Sequence, residues 1–319
     1  MSGIRMRRIN IKPSCSKEER RELIDYCLKK NPEKQYVAIG WSYVYTDDGK
    51  VPEKSFASYE EFYYAAEKCI KERKCRINHA LNSFWYVKEG DLFWTRDLDG
   101  FYWICRAKGK AEPLYIHKWD VGAVVPVNAY RVGLEVPGQI KASFNRPHGG
   151  TIDDFSDEEK DELIINYSKY IYNQFEKDDK KKYDDIVIKE GKLLHNLPPE
   201  DLEELVISYL QIKENYYVLS NSIASKSTTV SIECEFLSRN KEHPKKAVVQ
   251  VKAIVDKIEP NDYQEFLEQG YEVYFYDGGR VGNVPGFKYI SEDELLDFFD
   301  EYKTVLPESI TKWEMLFKC

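Results

Sequence analysis

No apolar run in the 319-residue chain approaches the roughly 18–20 residues that a membrane-spanning helix needs, and the mean hydropathy is −0.59. The basic start, Met1–Arg8, has no apolar signal core behind it, so a reducing, cytoplasmic location and no membrane partner are expected. Cysteine is sparse and unpatterned: the count is seven, which is odd, and no C-x-x-C pair occurs. That argues against a disulfide framework and against a zinc knuckle. The five histidines form no metal-ligand spacing. Asp277–Gly282 lacks the Lys-Ser/Thr ending of a phosphate-binding loop, so no ATP-driven motor is expected. Asp97–Gly100 opens like a calcium loop but lacks the later ligands and reads as a hairpin turn. Internal repeats and low-complexity tracts are also missing.

What is present is a globular composition. Hydrophobic residues make up 42% and aromatics 14%, with 24 tyrosines. Rings in that number suit cores and base-stacking surfaces alike. The length favours two domains. The net charge of −8 hides an asymmetry. Residues 1–150 carry 26 Lys and Arg against 19 Asp and Glu, a net of +7, and the remainder has 21 against 36, a net of −15. A basic front half fits a polyanionic partner, and an acidic back half can hold a divalent metal. Ordinary solvated surfaces would show the same numbers.

Capping boxes place helices after Ser16, Ser58, Ser156 and Ser291, each with Glu three residues on. Tyr36–Trp41 reads as a buried strand. Asp91–Thr95, Phe101–Arg106 and Val121–Val127 are short β-branched and aromatic runs divided by turn residues, the pattern of a small β-barrel. The Pro/Gly-bearing stretch Asn145–Gly150 coincides with the change in charge and marks the expected boundary between domains 1–148 and 155–319. The second domain alternates. Helices are expected from Pro198 and Pro260, and strands at Asn215–Leu219, Val230–Ser238, Ala247–Ile254 and Tyr271–Tyr276.

Two of those strands carry chemistry. A period of two puts Glu233 and Glu235 on one face, and Gln250 and Lys252 on one face. If the strands pair as a hairpin, carboxylate, amide oxygen and ammonium converge. Phosphodiester hydrolysis needs a hard cation, and Mg²⁺ takes oxygen ligands. A carboxylate, the Gln250 amide oxygen and the Val251 carbonyl supply such a set. Lys252 would orient water and stabilise negative charge. Glu203, early in the preceding helix, would add a carboxylate from across the site. The bland alternative is a solvated strand face whose ion pair is worth under about 1 kcal/mol.

Ala247-Val-Val-Gln-Val-Lys252, with Leu202–Val206, Asn221-Ser222, Ser227-Thr228 and Ile232-Glu-Cys234, resembles the PD-(D/E)XK nuclease superfamily and its Mrr-like restriction endonuclease branch. The likeness runs over roughly 201–276. It implies active-site roles for Glu203, Glu233, Gln250 and Lys252, with Glu235 an equally placed alternative to Glu233, and Mg²⁺ or Mn²⁺ as cofactor. Ala38–Ser42, Gly90–Arg96, Gly100–Trp103, Ala129–Arg131 and Val136–Phe144 resemble a PUA/EVE-type barrel. That implies nucleic-acid recognition, in some members of a flipped modified base, and makes Trp41, Ser42, Trp94, Arg96 and Tyr102 candidate lining. Core packing is the alternative for each of them.

The expected fold is therefore an α+β N-terminal β-barrel with flanking helices, PUA/EVE-like, followed by an α/β restriction-endonuclease-like domain with a central mixed sheet. The expected function is a metal-dependent DNA endonuclease of modification-dependent restriction or antiviral defence. The alternative is a reader of DNA or RNA built on an inactive nuclease fold. DNA, modified or not, is the leading partner, RNA the second, and a homodimer is compatible with the reading.

Overall fold

The structure is a computed structural model. It describes residues 3–12, 15–42, 44, 55–72, 79–146, 150–155, 159–222, 232–253, 257–278, 280, 282 and 284–318. The chain is α+β and forms two compact units, Met1–Val136 with Ile140–Val187, and Pro137–Gln139 with Ile188–Cys319.

The first unit contains β1 (Met6–Ile9), α1 (Lys17–Ile24), β2 (Gln35–Ile39), α2 (Tyr59–Glu72), α3 (His79–Trp85), β3 (Leu92–Arg96), β4 (Tyr102–Ala107), β5 (Glu112–Ile116), β6 (Val121–Gly133), α4 (Gly138–Asn145) from Ile140 on, β7 (Ile152–Phe155) and α5 (Glu159–Phe175). The seven strands form one mixed sheet in the order β2-β6-β4-β3-β1-β7, with β5 also on β6. Only β1 and β3 run parallel. The sheet curls into a half-barrel, the coarser form of the small β-barrel expected. The capping box at Ser16 and Glu19 starts α1 as read, and the chain continues as a π-turn over Asp25–Lys29. The box at Ser156 lies outside the described residues.

The basic start contributes an inner strand of this sheet. Arg7 and Arg8 are fully buried on β1. Burying unpaired guanidinium groups would be costly. Arg7 Nη1 meets Asp91 Oδ2 at 2.7 Å and its Nε meets Asp154 Oδ1 at 2.9 Å, while Arg8 pairs with Asp153. Two of these carboxylates belong to β7, which pairs antiparallel with β1. The boundary expected between 148 and 155 thus falls inside the first unit. Its Pro/Gly signal leads into an edge strand, and the division comes at Val187 and Ile188. The first 187 residues hold 32 Lys and Arg against 31 Asp and Glu, so the basic excess belongs to residues 1–150 and not to the unit as a whole.

The second unit contains β8 (Lys189–Glu190), α6 (Leu193–Asn196), α7 (Pro199–Ile212), β9 (Tyr216–Val218), β10 (Cys234–Ser238), β11 (Lys246–Lys252), α8 (Gln264–Glu268), β12 (Tyr271–Asp277), β13 (Phe287–Tyr289), α9 (Glu292–Tyr302), α10 (Glu308–Thr311) and β14 (Phe317–Lys318). Five strands make a mixed sheet, β13-β12-β11-β10-β9, parallel from β13 to β11 and antiparallel beyond. The central strand β11 is buried from Ala247 to Val251, an apolar run interrupted by the buried amide of Gln250. On one face, Val248, Val273 and Phe275 pack with Tyr263, Ile258 and Phe266. Helix α7, opened by a proline in its first turn, packs on β11 and β9 and buries Leu202, Leu205 and Val206.

Candidate functional site

The sheet of the second unit builds the clearest chemical constellation. The antiparallel register sets Cys234 opposite Val249 and Glu235 opposite Val248, and the Glu233 amide donates to the Val249 carbonyl at 2.9 Å. Glu233 therefore lies beside Gln250 at the carboxyl end of β11. Gln250 is 1% exposed. Its Nε2 donates to Glu233 Oε1 at 3.0 Å and to the Val251 carbonyl at 3.1 Å. Its Oε1 accepts from the Tyr263 hydroxyl at 3.2 Å. Burial, with the negative charges of Asp262 and Glu233, pushes the Tyr263 hydroxyl up to about 12, so it remains a donor at neutral pH.

Lys252 shares the Gln250 face by strand alternation. It is half-buried, and among the described residues nothing hydrogen-bonds or ion-pairs with its ammonium. Its neighbour across the parallel pair is Asp277, at the end of β12. Asp277 is mostly buried and meets Arg280 Nη1 at 3.2 Å. Glu203 sits on α7. Burial drives the Cys234 thiol up to about 12, reinforced by the fields of Glu233, Glu204, Glu203 and Glu235 in that order. The fields of Glu203, Glu233 and Glu235 thus all reach one buried thiol. Gln250 selects Glu233 from the two strand glutamates, because the register gives Glu235 the apolar Val248 as its partner.

The first unit distributes its candidates differently. Trp41 follows β2 with φ 70°, and Asp120 precedes β6 with φ 52°, both in the left-handed region that non-glycine residues rarely occupy. Asp120 Oδ1 accepts from the Ser42 amide and from its hydroxyl, each at 3.1 Å. Ser42 is wholly buried, so, against the expectation, its hydroxyl is held by Asp120 and closed to a ligand. Gly122 permits the approach, since a Cβ there would lie 2.5 Å from the Gly40 carbonyl oxygen. Burial and the nearby charges of Glu19, Arg20 and Asp120 act on Cys15 with a net upward shift, and burial, Cys15 and Arg96 act on Arg20 with a net downward one. Asp120 and Arg96 therefore act on adjacent groups in the same unit. Arg96 lies over the rings of Tyr102 and Phe144 at 5.8 and 5.5 Å, and its Nη1 donates to Asn145 Oδ1 at 3.0 Å. Trp94 is a correction. It is wholly buried, and its indole N–H donates to the Ser168 hydroxyl on α5 at 2.9 Å, so it is core and its ring is closed to a ligand. Tyr102 is also nearly buried, edge-on to Phe144.

Sequence reasoning missed Tyr263, Asp120 and the part Asp277 plays beside Lys252. Only Asp277 had a local signal, its place in a parallel strand next to that of Lys252. A polar cleft of about 240 Å³ lies at the other ends of the same strands, among Glu214, Tyr216, Lys245, Glu272, Tyr274 and Lys288. Among the described residues no three His, Cys, Asp or Glu side chains are grouped to hold a metal ion. At Gln250 one carboxylate oxygen, Glu233 Oε1, and one carbonyl, Val251 O, face the amide nitrogen, while the amide oxygen faces Tyr263. Only with the amide turned over would a third oxygen complete a set suited to a hard cation that keeps several waters. No helix among the described residues is long and apolar enough to cross a membrane. Protein-family models, curated proteins and solved structures were compared with the chain, and none matches it.

Proposed function

We propose that the chain is a metal-dependent DNA endonuclease whose second unit cleaves phosphodiester bonds and whose first unit reads the nucleic acid, with a modified base as the preferred mark. The observation that carries this is the convergence of Glu233 and the Val251 carbonyl on buried Gln250, with the Lys252 ammonium, unpaired among the described residues, on the same face of the strand. Polar groups at the carboxyl end of parallel strands are where open α/β sheets place their chemistry.

A bound Mg²⁺ or Mn²⁺ would supply Lewis-acid polarisation of the phosphate and activation of water. Glu233, Gln250 and Val251 would hold it. Glu233 brings the formal negative charge, and Gln250 and Val251 bring neutral oxygens that complete the set without repelling a phosphodiester. Lys252 donates hydrogen bonds to the attacking water and to the oxygens that gain charge in the transition state. Among the described residues no carboxylate pairs with it. Glu203 enters the reading as a further carboxylate whose field shares the Cys234 neighbourhood.

In the first unit, Trp41 and Arg96 are the reading residues. Strained backbone is kept where the surroundings over-determine it, often at binding sites, and Trp41 and Asp120 have that character. A flipped base offers faces for Trp41. A second reading, a nucleic-acid reader without cleavage, is favoured by the orientation of Gln250, whose N–H groups face the two oxygens that a cation would use. Incubation of the full chain with modified and unmodified duplex DNA and Mg²⁺ or Mn²⁺ separates the two. Nicking of the modified substrate supports the nuclease, and retention of DNA without nicking under either metal supports the reader.

A further inference from the structure

Gln250 carries a feature that a simple ligand would not need. Its amide nitrogen occupies the point on which Glu233 Oε1 and the Val251 carbonyl converge, at 3.0 and 3.1 Å, and its oxygen faces away, accepting from Tyr263 at 3.2 Å. In this orientation both amide hydrogens and the amide oxygen are satisfied, which a side chain 1% exposed requires. It is also the wrong way round for a cation, since the N–H groups point at the oxygens that would bind one. A half-turn of the terminal amide exchanges Oε1 and Nε2 with almost no change of shape. Three oxygens then face one another. Without a cation they repel, and with one they form a hard-cation donor set.

Tyr263 is the residue that tolerates both orientations, because a phenol hydroxyl both donates and accepts. It donates to Oε1 in the orientation seen, and would accept from Nε2 after the turn. Phe in its place would orphan the amide oxygen in one orientation and an amide N–H in the other. A buried orphan N–H is the worse defect. We propose that the Gln250 amide is a reversible plug, its NH₂ filling the cation position in the free protein and turning over when a divalent cation binds, with Tyr263 as the positioning residue for both orientations. The plug rests on the nuclease reading for its cation.

The test reads the amide itself and not cleavage. The full chain is labelled with ¹⁵N-glutamine, of which it has seven, and the Gln250 side-chain signal is assigned by its loss in Gln250→Met. Titration with Mg²⁺ should bring the Gln250 NH₂ protons into nuclear Overhauser contact with the Tyr263 ring. Tyr263→Phe should weaken Mg²⁺ binding, measured by the same titration, about three- to tenfold. If Mg²⁺ moves neighbouring signals while the NH₂ gains no contact with Tyr263, the plug is overturned and the nuclease reading stands. If millimolar Mg²⁺ moves nothing near Gln250, the plug and the metal site fall together. Unchanged affinity in a folded Tyr263→Phe protein would overturn the positioning role.

Discussion

Replacing Glu272 by Gln should destabilise the second unit at neutral pH and have little effect in acid. Glu272 lies in the polar cleft, where Oε1 accepts from Lys245 Nζ at 2.6 Å and Oε2 accepts from Lys288 Nζ at 2.9 Å and from the Tyr216 hydroxyl. Burial alone would raise its pKa. The hydrogen bonds from Lys245, Tyr216 and Lys288, with the charge of Lys288, outweigh it and hold the carboxyl at about 2, against 4.5 ordinarily. A depression of that size corresponds to about 3 kcal/mol of coupling to folding. Both lysines are near half exposed, 57% and 45%, so water and salt screen the pairing. We expect about 1–2 kcal/mol to survive. The sign follows from the direction. The contribution is present above the unfolded carboxyl pKa and is lost as pH falls from there through the folded value. Urea unfolding of wild type and Glu272→Gln, compared at pH 7, 5, 4 and 3, should show the gap narrowing in acid. A gap that stays constant across this range, or that is zero at pH 7, would refute the electrostatic account of the cleft.

Three further outcomes follow from the first unit and the junction. Trp94→Phe removes the hydrogen bond to Ser168 and part of a packed ring, so it should cost about 1–3 kcal/mol in denaturant unfolding while nucleic-acid affinity is unchanged. Trp41→Ala should keep the folded circular dichroism spectrum and lose about 1–3 kcal/mol of binding by fluorescence anisotropy, the worth of one stacked base. An unchanged affinity in the folded variant would remove Trp41 from the reading surface. Limited proteolysis should cut beside the exposed Val187 and Ile188, releasing a fragment that begins near Ile188. Fragments divided near Asn145–Asp154 instead would contradict the assignment of β7 and α5 to the first unit.

The parts of the molecule that were legible are those encoded locally. The capping boxes at Ser16 and Ser291 name their own helix starts. The alternation around Glu233 and Gln250 gives their faces, and a polar turn between the two runs gives their pairing. What was not legible depends on partners far away in sequence. Arg7 and Arg8 look solvated until Asp91, Asp153 and Asp154 arrive from 84 to 147 residues on. Trp94 resembles a stacking residue because an indole suits a core and a pocket equally, and only the Ser168 hydroxyl on α5 decides between them. The Pro/Gly run near 148 signals a turn, and a turn says nothing about whether the next strand rejoins the same sheet. Tyr263 carries no motif at all, and its meaning comes wholly from the atom its hydroxyl meets.

The most direct test of the central claim is the single-turnover cleavage rate of the full chain on modified duplex DNA with saturating Mg²⁺, wild type against Lys252→Ala. Lys252 acts on the water and on charge that develops only in the transition state, so its loss should appear in rate and not in affinity. The account predicts metal-dependent cleavage by wild type, a rate lowered by at least about a hundredfold in Lys252→Ala, and DNA binding within about twofold of wild type. Full cleavage by a folded Lys252→Ala protein would contradict the assignment of the site.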